Sequence, residues 1–255
     1  GLVASSLLLL RRENQLARTR ANFVSGVSHE LRTPLAQIRM FAEMLLLGRV
    51  RNEADRRRSL EIIDTEARRL SQLVENVLQV ARSEHGHTRV NPTVMSVAPV
   101  VRECVESFSV LAQARGIDFR MELQDELIAP VDSAALRQIV LNLLDNAAKY
   151  GPEGQRVVVG VALYDNTARL WVDDEGKGIP MRDRERVFDP FYRARDVQHT
   201  TGSGIGLSVV RELVVLHGGT AWIEDAPDAG TRVVVQFPGA YVAAQPQTAG
   251  DFAVA

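Results

Sequence analysis

The sequence predicts an all-α helical hairpin followed by an α+β two-layer sandwich. Apolar residues recur at alternating spacings of three and four through residues 13–84, which is the pattern of a coiled-coil seam. From residue 93 onward, β-type runs alternate with helical segments and with glycine-rich turns. Segregated helices and mostly antiparallel strands favour a sandwich with the helices on one face of a sheet.

Composition excludes several classes of function. The chain has 255 residues, which is enough for two domains that each bury a core. Its formal net charge of −2 argues against nucleic-acid binding, which usually needs a basic face. Cys104 is the single cysteine, so the chain forms neither an internal disulfide nor a cysteine metal cluster.

The first segment, residues 1–12, has the character of a membrane flank. Ten mostly apolar residues precede Arg11 and Arg12, and arginines typically follow a membrane span on its cytoplasmic side. A helix needs about 20 residues to cross a bilayer. We therefore expect residues 1–12 to be the end of a truncated transmembrane helix, with the rest of the chain on the cytoplasmic side of a cell (inner) membrane. A signal-peptide remnant or an ordinary helix start is the alternative.

Two helices are expected within residues 13–84, with Gly48 and Asn52 marking their junction. Two helices alone make a poor core, so a second copy of the hairpin is expected to complete a dimeric four-helix bundle. The predicted seam positions are Leu31, Pro34, Ile38, Phe41 and Leu45 in the first helix, and Leu60, Ile63, Ala67, Leu70, Val74, Val77 and Ala81 in the second.

A polar linker is predicted at residues 85–92, and an α+β domain at residues 93–238. Helices are expected at 99–115, 133–150 and 205–217, and strands at 94–97, 117–123, 157–164, 168–174, 219–224 and 231–237. The tail from residue 239 to residue 255 is rich in alanine and glutamine and is predicted to be disordered.

The helix at 133–150 carries the first candidate binding residues. Asn142 and Asn146 lie one turn apart and so share a face, and Lys149 follows three residues later. Two amides and an ammonium group suit Mg²⁺ and phosphate oxygens, because Mg²⁺ takes oxygen ligands and usually shares them with phosphates. A solvated polar face is the alternative for this helix taken alone.

Two glycine clusters follow. Residues 173–179 (DDEGKGI) end a strand in a turn where glycines allow close approach of a ligand, and Asp174 is placed to accept a hydrogen bond from an amino group. Residues 202–207 (GSGIGL) open a helix, where backbone N–H groups favour phosphate. No Lys-Ser/Thr pair follows the last glycine, and no strand precedes the cluster, so neither a Walker loop nor a dinucleotide-binding fingerprint is predicted.

The residues between the clusters are expected to form a mobile lid over a phosphate site. Phe188, Phe191 and Tyr192 would anchor its base, and Arg193 or Arg195 would reach phosphate. Simple packing is the alternative for the aromatic side chains.

A reactive histidine is expected near the start of the hairpin, in residues 23–35 (FVSGVSHELRTPL). His29 falls between the inward positions Val27 and Leu31, so it faces solvent rather than the core. Pro34 lacks an N–H group and leaves the carbonyl of Glu30 without its helical partner, which weakens the helix beside the histidine.

Taken together, these motifs resemble those of the transmembrane sensor histidine kinases of two-component systems, over about residues 16–238. The resemblance rests on six motifs in the family's order: FVSGVSHELRTPL (23–35, H box), LRQIVLNLLDNAAKYG (136–151, N box), WVDDEGKGIP (171–180, first glycine box), FDPFYR (188–193, F box), GSGIGLSVVREL (202–213, second glycine box) and GTRVVVQFP (230–238, final strand).

The resemblance implies a Bergerat-type ATP site, a fold shared with gyrase, mismatch-repair and heat-shock chaperone ATPases. It implies that Asn146 coordinates Mg²⁺ with help from Asn142, and that Asp174, helped by Thr231, binds the adenine amino group. The other residues implied to contact ATP are Lys149, Tyr150, Gly176, Gly178, Arg193, Gly202, Gly204, Gly206 and Leu207.

The implied catalytic residues are His29, Glu30 and Thr33. ATP would phosphorylate His29, with Glu30 orienting the imidazole through a hydrogen bond. The phosphoryl group would then pass to an aspartate on the receiver domain of a response regulator. In relatives that share the H-E-x-x-T pattern, the threonine helps to position the water that dephosphorylates the regulator, so phosphatase activity is also expected.

Three alternatives make different demands on the sequence. A dimeric ATPase or chaperone would carry a glutamate as general base at position 142, where this chain has an amide. A pseudokinase scaffold would lack His29, Asn146 or Asp174, and all three are present. A serine kinase of the anti-sigma type would share the ATP fold but lack the helical hairpin.

Overall fold

The computed structural model describes residues 27–28, 31–50, 52–84, 89–112, 115–193 and 204–243. Contacts between Cα atoms divide the chain into two compact units. The first unit comprises Gly1–Thr88 and Pro180–Val209, and the second comprises Arg89–Ile179 and Val210–Ala255.

Helices α1 and α2 belong to the first unit. The described part of α1 covers residues 27–28 and 31–46, and α2 covers Glu53–Glu84. α1 ends in a Schellman motif at Gly48, whose φ of 60° suits glycine, and the N–H groups at 48 and 49 donate back to carbonyls of the last turn at 3.2 and 3.0 Å. Asn52 begins α2, because its Oδ1 accepts the N–H of Asp55 at 2.7 Å. The predicted junction at Gly48 and Asn52 is confirmed.

The predicted seam of α2 is partly exposed in the single chain. Leu60 is 51% exposed and Val74 is 43% exposed, whereas the polar residues Ser59 and Asn76 are buried. Burial within one chain therefore follows a different stripe from the predicted seam. Apolar side chains of the seam remain accessible to another molecule.

The strands of the described residues form two sheets, both in the second unit. The larger sheet has five strands in the order β2-β4-β5-β7-β6, with β2 and β4 parallel and the other neighbours antiparallel. The smaller sheet has three antiparallel strands in the order β1-β3-β8. The strand bounds are β1 Thr93–Ser96, β2 Asp118–Leu123, β3 Leu127–Val131, β4 Arg156–Tyr164, β5 Thr167–Asp174, β6 Thr220–Asp225, β7 Thr231–Pro238 and β8 Tyr241–Val242.

Helices α3 (Ala98–Ala112) and α4 (Ser133–Tyr150) contact each other and the larger sheet, α3 at β2 and α4 at β5. Burial alternates along β5, where Leu170 and Val172 are at most 2% exposed. A further helix, α5, spans Gly206–Leu216. A helical region followed by an α+β sandwich, as the sequence predicts, is confirmed.

The register of the large sheet is fixed where β4 meets β5. Gly160 pairs with Trp171, and a Cβ atom on Gly160 would stand 1.9 Å from the indole ring. The ring therefore lies over a strand position that has no side chain, which accounts for a glycine inside a strand.

Asp132 sets the start of α4. Its Oδ1 accepts the N–H groups of Ala134 and Ala135 at 2.9 and 3.1 Å, and its Oδ2 accepts the N–H of Asn91 at 2.9 Å. The backbone N–H of Asp132 donates to Nε2 of His217 at 3.0 Å. One residue thus caps the helix and ties it to the chain on both sides.

Several element predictions need correction. β3 was not predicted from the sequence, and its Pro130 is a residue that strands usually avoid. Because β8 pairs only with Leu127 and Ile128 of β3, the missing N–H of Pro130 interrupts no hydrogen bond to β8. The tail predicted to be disordered from residue 239 begins with β8, and residues 244–255 lie outside the described part. The described part of α3 ends at Ala112, residues 113 and 114 lie outside the described residues, and Gly116 turns the chain with a φ of 64°.

Two other predicted segments fall partly or wholly beyond the described residues. Residues 1–12, predicted to end a membrane helix, lie outside them, and so do residues 85–88 of the predicted linker. Within the ranges that the structure covers, no helix combines the length and the apolar character needed to cross a membrane.

Replacing Asp132 by alanine is expected to lower the free energy of unfolding by about 1–2 kcal/mol, because α4 loses its N-cap. Urea unfolding followed by circular dichroism measures this change. Asp132→Asn keeps an oxygen that can accept the N–H groups of Ala134 and Ala135. Its free energy of unfolding should fall by less than half as much as that of the alanine variant. Equal losses in the two variants would show that the cap does not stabilise α4.

Candidate functional site

β5 ends in two acidic residues with different partners. Asp173 forms a two-bond ion pair with Arg232 of β7, at 2.6 and 2.7 Å. Asp174 is 8% exposed, and its Oδ1 accepts the backbone N–H groups of Gly176 at 2.8 Å and Thr231 at 3.3 Å. Among the described residues none donates a hydrogen bond to Oδ2 of Asp174, so this oxygen remains for a donor on a ligand.

The buried position changes the acidity of Asp174. Burial raises the pKa of its carboxyl above the ordinary value; the N–H groups of Gly176 and Thr231 act in the opposite direction, and the charge of Asp173 adds to the rise. Keeping this carboxylate out of water costs free energy unless a donor binds it. A buried acid with one oxygen left over is typical of a binding site.

Three glycines shape the backbone around Asp174. A Cβ atom on Gly230 would stand 2.0 Å from the carbonyl oxygen of Asp174, and one on Gly176 would stand 2.7 Å from its Oδ1. Gly178 has a φ of 74°, which is in the left-handed region. Side chains are therefore excluded where the backbone approaches the carboxylate, and Gly230 is a residue that the sequence analysis did not single out.

α4 carries the two predicted metal ligands. Asn142 is 3% exposed, and its amide donates to the carbonyl of Gln138, one turn earlier, at 2.8 Å. The amide nitrogen of Asn146 is buried and has no hydrogen-bond partner within the described ranges. Turning that amide over exchanges its nitrogen and oxygen, so Asn146 can offer an oxygen without breaking a hydrogen bond of its nitrogen. Oxygen is the ligand that Mg²⁺ prefers, and Asn146 therefore fits the predicted cation.

The end of α4 lies beside the turn that follows β5. The backbone carbonyl of Tyr150 is near Gly176, since a Cβ atom there would stand 3.0 Å from it. Lys149 forms an ion pair with Asp145, with 2.6 Å between Nζ and Oδ2. The predicted phosphate-binding lysine is thus held one turn back along α4 by an acid that the sequence analysis did not consider.

Two more side chains that the sequence analysis did not identify hold the end of α4. Arg115 donates to the carbonyl of Ala148. Gln155 donates from Nε2 to the carbonyl of Ala147 at 2.7 Å and accepts the N–H of Glu175 at 3.1 Å. Each is a single polar residue beside a turn, which in a sequence is indistinguishable from an exposed residue.

The second glycine cluster belongs to the first unit. The N–H of Phe191 donates to the carbonyl of Gly204 at 2.9 Å. Gly204 has a φ of 69°, and a Cβ atom there would stand 2.9 Å from the backbone of Phe191. Gly206 and Leu207 begin α5, where helix geometry leaves N–H groups without intrahelical acceptors. Gly202 lies outside the described residues.

The predicted anchors before Gly204 are also in the first unit. Phe188 is 3% exposed, and Arg193 is half-buried. The hydroxyl of Tyr192 donates to Oδ1 of Asp183 at 2.7 Å, and the guanidinium of Arg186 lies 4.3 Å from the centre of the Tyr192 ring. Arg195 lies outside the described residues.

The predicted phosphoacceptor region is described only in part. His29 and Glu30 lie outside the described residues. Around them, Val27 and Pro34 are buried and Thr33 is exposed. The same pattern of inward and outward positions underlies the prediction that His29 faces solvent.

The structure brings four predicted site residues together in the second unit: Tyr150, Asp174, Gly176 and Thr231. Thr231 contacts Asp174 through its backbone N–H. Five predicted site residues among the described ones belong to the first unit: Thr33, Arg193, Gly204, Gly206 and Leu207.

Two family models match the chain. Residues 19–86 match the His Kinase A (phospho-acceptor) domain, and residues 131–240 match the histidine kinase-, DNA gyrase B- and HSP90-like ATPase. The first match includes His29, and the second includes Asn146 and Asp174.

Similar proteins carry both parts. The chain is 30% identical to the sensor histidine kinase WalK of Bacillus subtilis, over 93% of this chain and 39% of the relative. It is 36% identical to the signal transduction histidine-protein kinase/phosphatase MprB of Mycobacterium leprae, over 91% of this chain and 46% of the relative. The chain therefore spans less than half the length of these relatives.

A solved structure agrees with the sequence matches. A structure of the mycobacterial sensor histidine kinase MprB is 33% identical, with a TM-score of 0.51, and the match covers 58% of this chain and 97% of that one. Three observations agree: the order of the phospho-acceptor and ATPase domains, the buried acid at the end of β5, and these similarities. The chain belongs to the sensor histidine kinase family of two-component signalling systems.

Proposed function

We propose that this chain is the kinase part of a sensor protein and transfers the γ-phosphoryl group of ATP to His29. One observation carries the proposal: a single chain combines a phospho-acceptor domain match that includes His29 with a buried acid, Asp174, that has one oxygen left for a ligand.

Asp174 suits the adenine ring. Its Oδ1 is held by two backbone N–H groups, so the carboxylate is fixed and Oδ2 can accept a hydrogen bond from the exocyclic amino group. Guanine has a carbonyl oxygen at that position, and two acceptors facing each other in a buried site repel. Adenine nucleotides are therefore the preferred ligand class.

The phosphate oxygens of ATP are assigned to the amides of α4. Asn146, with Asn142, would hold Mg²⁺, and Lys149 would leave Asp145 to meet a phosphate oxygen. When bound, Mg²⁺ neutralises phosphate charge and polarises the transferred group. The first N–H groups of α5, at Gly206 and Leu207, favour an anion.

The transfer itself is a substitution at phosphorus. The lone pair of an unprotonated imidazole nitrogen of His29 forms the new N–P bond. The bond to the bridging oxygen breaks, and ADP leaves with that electron pair. Glu30 accepts a hydrogen bond from the other ring N–H, which orients the imidazole and raises its basicity. The phosphoryl group then passes to an aspartate carboxylate on a response regulator receiver domain.

Two features support proposals about how the protein assembles and where in the cell it lies. Leu60 and Val74 of the predicted seam are exposed in one chain, as expected if a second copy covers them in a dimeric four-helix bundle. Residues 1–12 have the pattern of a membrane flank, so we place the whole protein in a cell membrane, with this part on its cytoplasmic side.

Asn142 argues for transfer to a protein group rather than to water. The hydrolysing relatives use a glutamate at this position as general base, and an amide does not accept a proton at neutral pH. Transfer to a histidine needs no such base, because the unprotonated imidazole nitrogen that attacks carries no proton to remove, whereas an attacking water must lose one.

Labelling with [γ-³²P]ATP tests the proposal. We expect the chain to take up label that is lost in acid and kept in base, as for phosphohistidine. His29→Gln should reduce labelling at least 100-fold while ADP affinity stays within about twofold, since His29 does not bind the nucleotide. Acid-stable label, or full labelling of His29→Gln, would contradict the assignment.

Replacing Asp174 by asparagine is expected to stabilise the ligand-free protein and to weaken its binding of ADP. The amide keeps an oxygen for the Gly176 and Thr231 N–H groups but removes a buried charge, so the ligand-free protein should gain on the order of 1 kcal/mol at pH 8. ADP affinity, measured by calorimetry, should fall at least tenfold.

The pH dependence of that gain has a definite sign. The folded-state pKa of Asp174 lies above its unfolded value, so the charged form destabilises the fold above the folded-state pKa. As the pH falls through that folded-state pKa, the carboxyl becomes neutral. The difference in the free energy of unfolding between Asp174→Asn and the parent should then shrink. If the difference in the free energy of unfolding between Asp174→Asn and the parent stays constant from pH 8 to pH 4, the buried charge of Asp174 is not its cause.

Phosphatase activity is a second proposal, favoured by the exposed Thr33 one turn after His29. Thr33→Ala should slow dephosphorylation of a phosphorylated receiver domain at least tenfold, because the water loses its positioning group. Thr33→Ser, which keeps the hydroxyl, is the matched control and should retain most of the rate. An unchanged rate in Thr33→Ala would remove this role.

A further inference from the structure

Gln155 joins two elements that bear on the nucleotide site. It lies just before β4 and is 1% exposed. Its Nε2 donates to the carbonyl of Ala147 in the last turns of α4, and its Oε1 accepts the N–H of Glu175, the residue after Asp174. Both ends of one buried amide therefore bond to backbone, so the side chain has one orientation.

The two elements are the separate halves of the proposed site. Ala147 follows Asn146 directly, so the contact at its carbonyl fixes the turn of α4 that carries the predicted metal ligand. Glu175 lies between Asp174 and Gly176, so the contact at its N–H fixes the turn that holds the predicted adenine-binding carboxylate. Gln155 thereby links the predicted phosphate end of the site to the adenine end.

Gly151 provides the space for this contact. A Cβ atom on Gly151 would stand 2.0 to 2.2 Å from three atoms of the Gln155 amide group. Its φ is −84°, which other residues adopt readily, so the backbone conformation does not require glycine. The small size of Gly151 matters because it leaves the amide of Gln155 in place.

We infer that Gln155 is a positioning residue for ATP, which sets the spacing between the Asn146 turn of α4 and the Asp174 turn. This inference rests on the proposed function, since it assigns the two turns to the two ends of one nucleotide. A nucleotide that spans both ends binds tightly only when their spacing is fixed beforehand. Gln155 bonds to the backbone of the two turns and does not contact the nucleotide itself. It therefore affects the binding of ATP and not the chemistry at His29.

The first test is Gln155→Met, which fills the same space and removes both hydrogen bonds. We expect the KM for ATP and the dissociation constant of ADP to rise about tenfold, as is typical when a group that orients binding residues is lost. The kcat of autophosphorylation should stay within about twofold, because a bound ATP reacts as before. A residue needed only for folding would instead lower kcat per total protein and leave KM unchanged.

The matched control is Gln124→Met. Oε1 of Gln124 accepts the N–H of Leu163 at 2.8 Å, a contact that does not involve the predicted site residues. Its KM for ATP should stay within about twofold of the parent value. A tenfold rise in this control would show that any lost side-chain bond disturbs the site and would overturn the inference.

A double-mutant cycle gives a second, independent test. Gly151→Ala should raise KM about tenfold in the parent chain, because the added methyl group displaces the Gln155 amide. In a Gln155→Ala background the same substitution meets no amide and should change KM less than twofold. An equal effect of Gly151→Ala in both backgrounds would overturn the inference.

The remaining outcomes also decide the question. If Gln155→Met does not fold, Gln155→Glu retains the acceptor for the Glu175 N–H and should show the same rise in KM. If neither variant folds, or if a folded Gln155→Met keeps the parent KM, Gln155 is structural only. Should the parent bind ADP but fail to label His29, the kinase proposal fails, and the ADP dissociation constants still test Gln155.

Discussion

The arrangement of the proposed site depends on one interaction, the burial of the Asp174 carboxylate at the end of β5. An ionised acid that is 8% exposed needs hydrogen-bond donors, and here two backbone N–H groups supply them. For those groups to reach it, the chain must turn tightly after β5 and return at the start of β7. That requirement accounts for glycine at positions 176 and 230, where any side chain would meet the carboxylate or its backbone.

The neighbouring elements follow from the same constraint. Asp173 faces the other side of β5 and pairs with Arg232, so of the two adjacent acids one has a structural role and the other is proposed to bind a ligand. The end of α4 is held beside the turn by Gln155, while Asp132 caps its start. A helix fixed at both ends presents Asn146 at a defined place, which a metal and phosphate site requires.

Much of this arrangement is predictable from local patterns in the sequence. The bounds predicted for α4 are those observed, because a capping aspartate precedes it and a glycine follows it. Asp174, Gly176 and Gly178 are found because a strand pattern runs into a glycine turn, and Gly48 because it ends an apolar repeat.

Contacts between distant residues are not predictable in this way. Gln155 resembles any surface glutamine until Ala147 and Glu175 are known to lie on either side of it. β3 was missed because the rule against proline in strands depends on which neighbour the strand meets, and β8 stops before Pro130. The buried stripe of α2 differs from its predicted heptad seam, as expected if the seam faces a second chain in the proposed dimer.

In the proposed function, the turn that holds Asp174 binds adenine. Nuclear magnetic resonance titration of the uniformly labelled protein with ADP and Mg²⁺ tests it most directly, read at the backbone amides of Gly176 and Thr231, which donate to the carboxylate. If the turn binds adenine, both amide signals shift in saturable fashion, together with the side-chain amide of Asn146, and Asp174→Asn greatly weakens the effect. Saturable binding of ADP that leaves the Gly176 and Thr231 signals unchanged would contradict it.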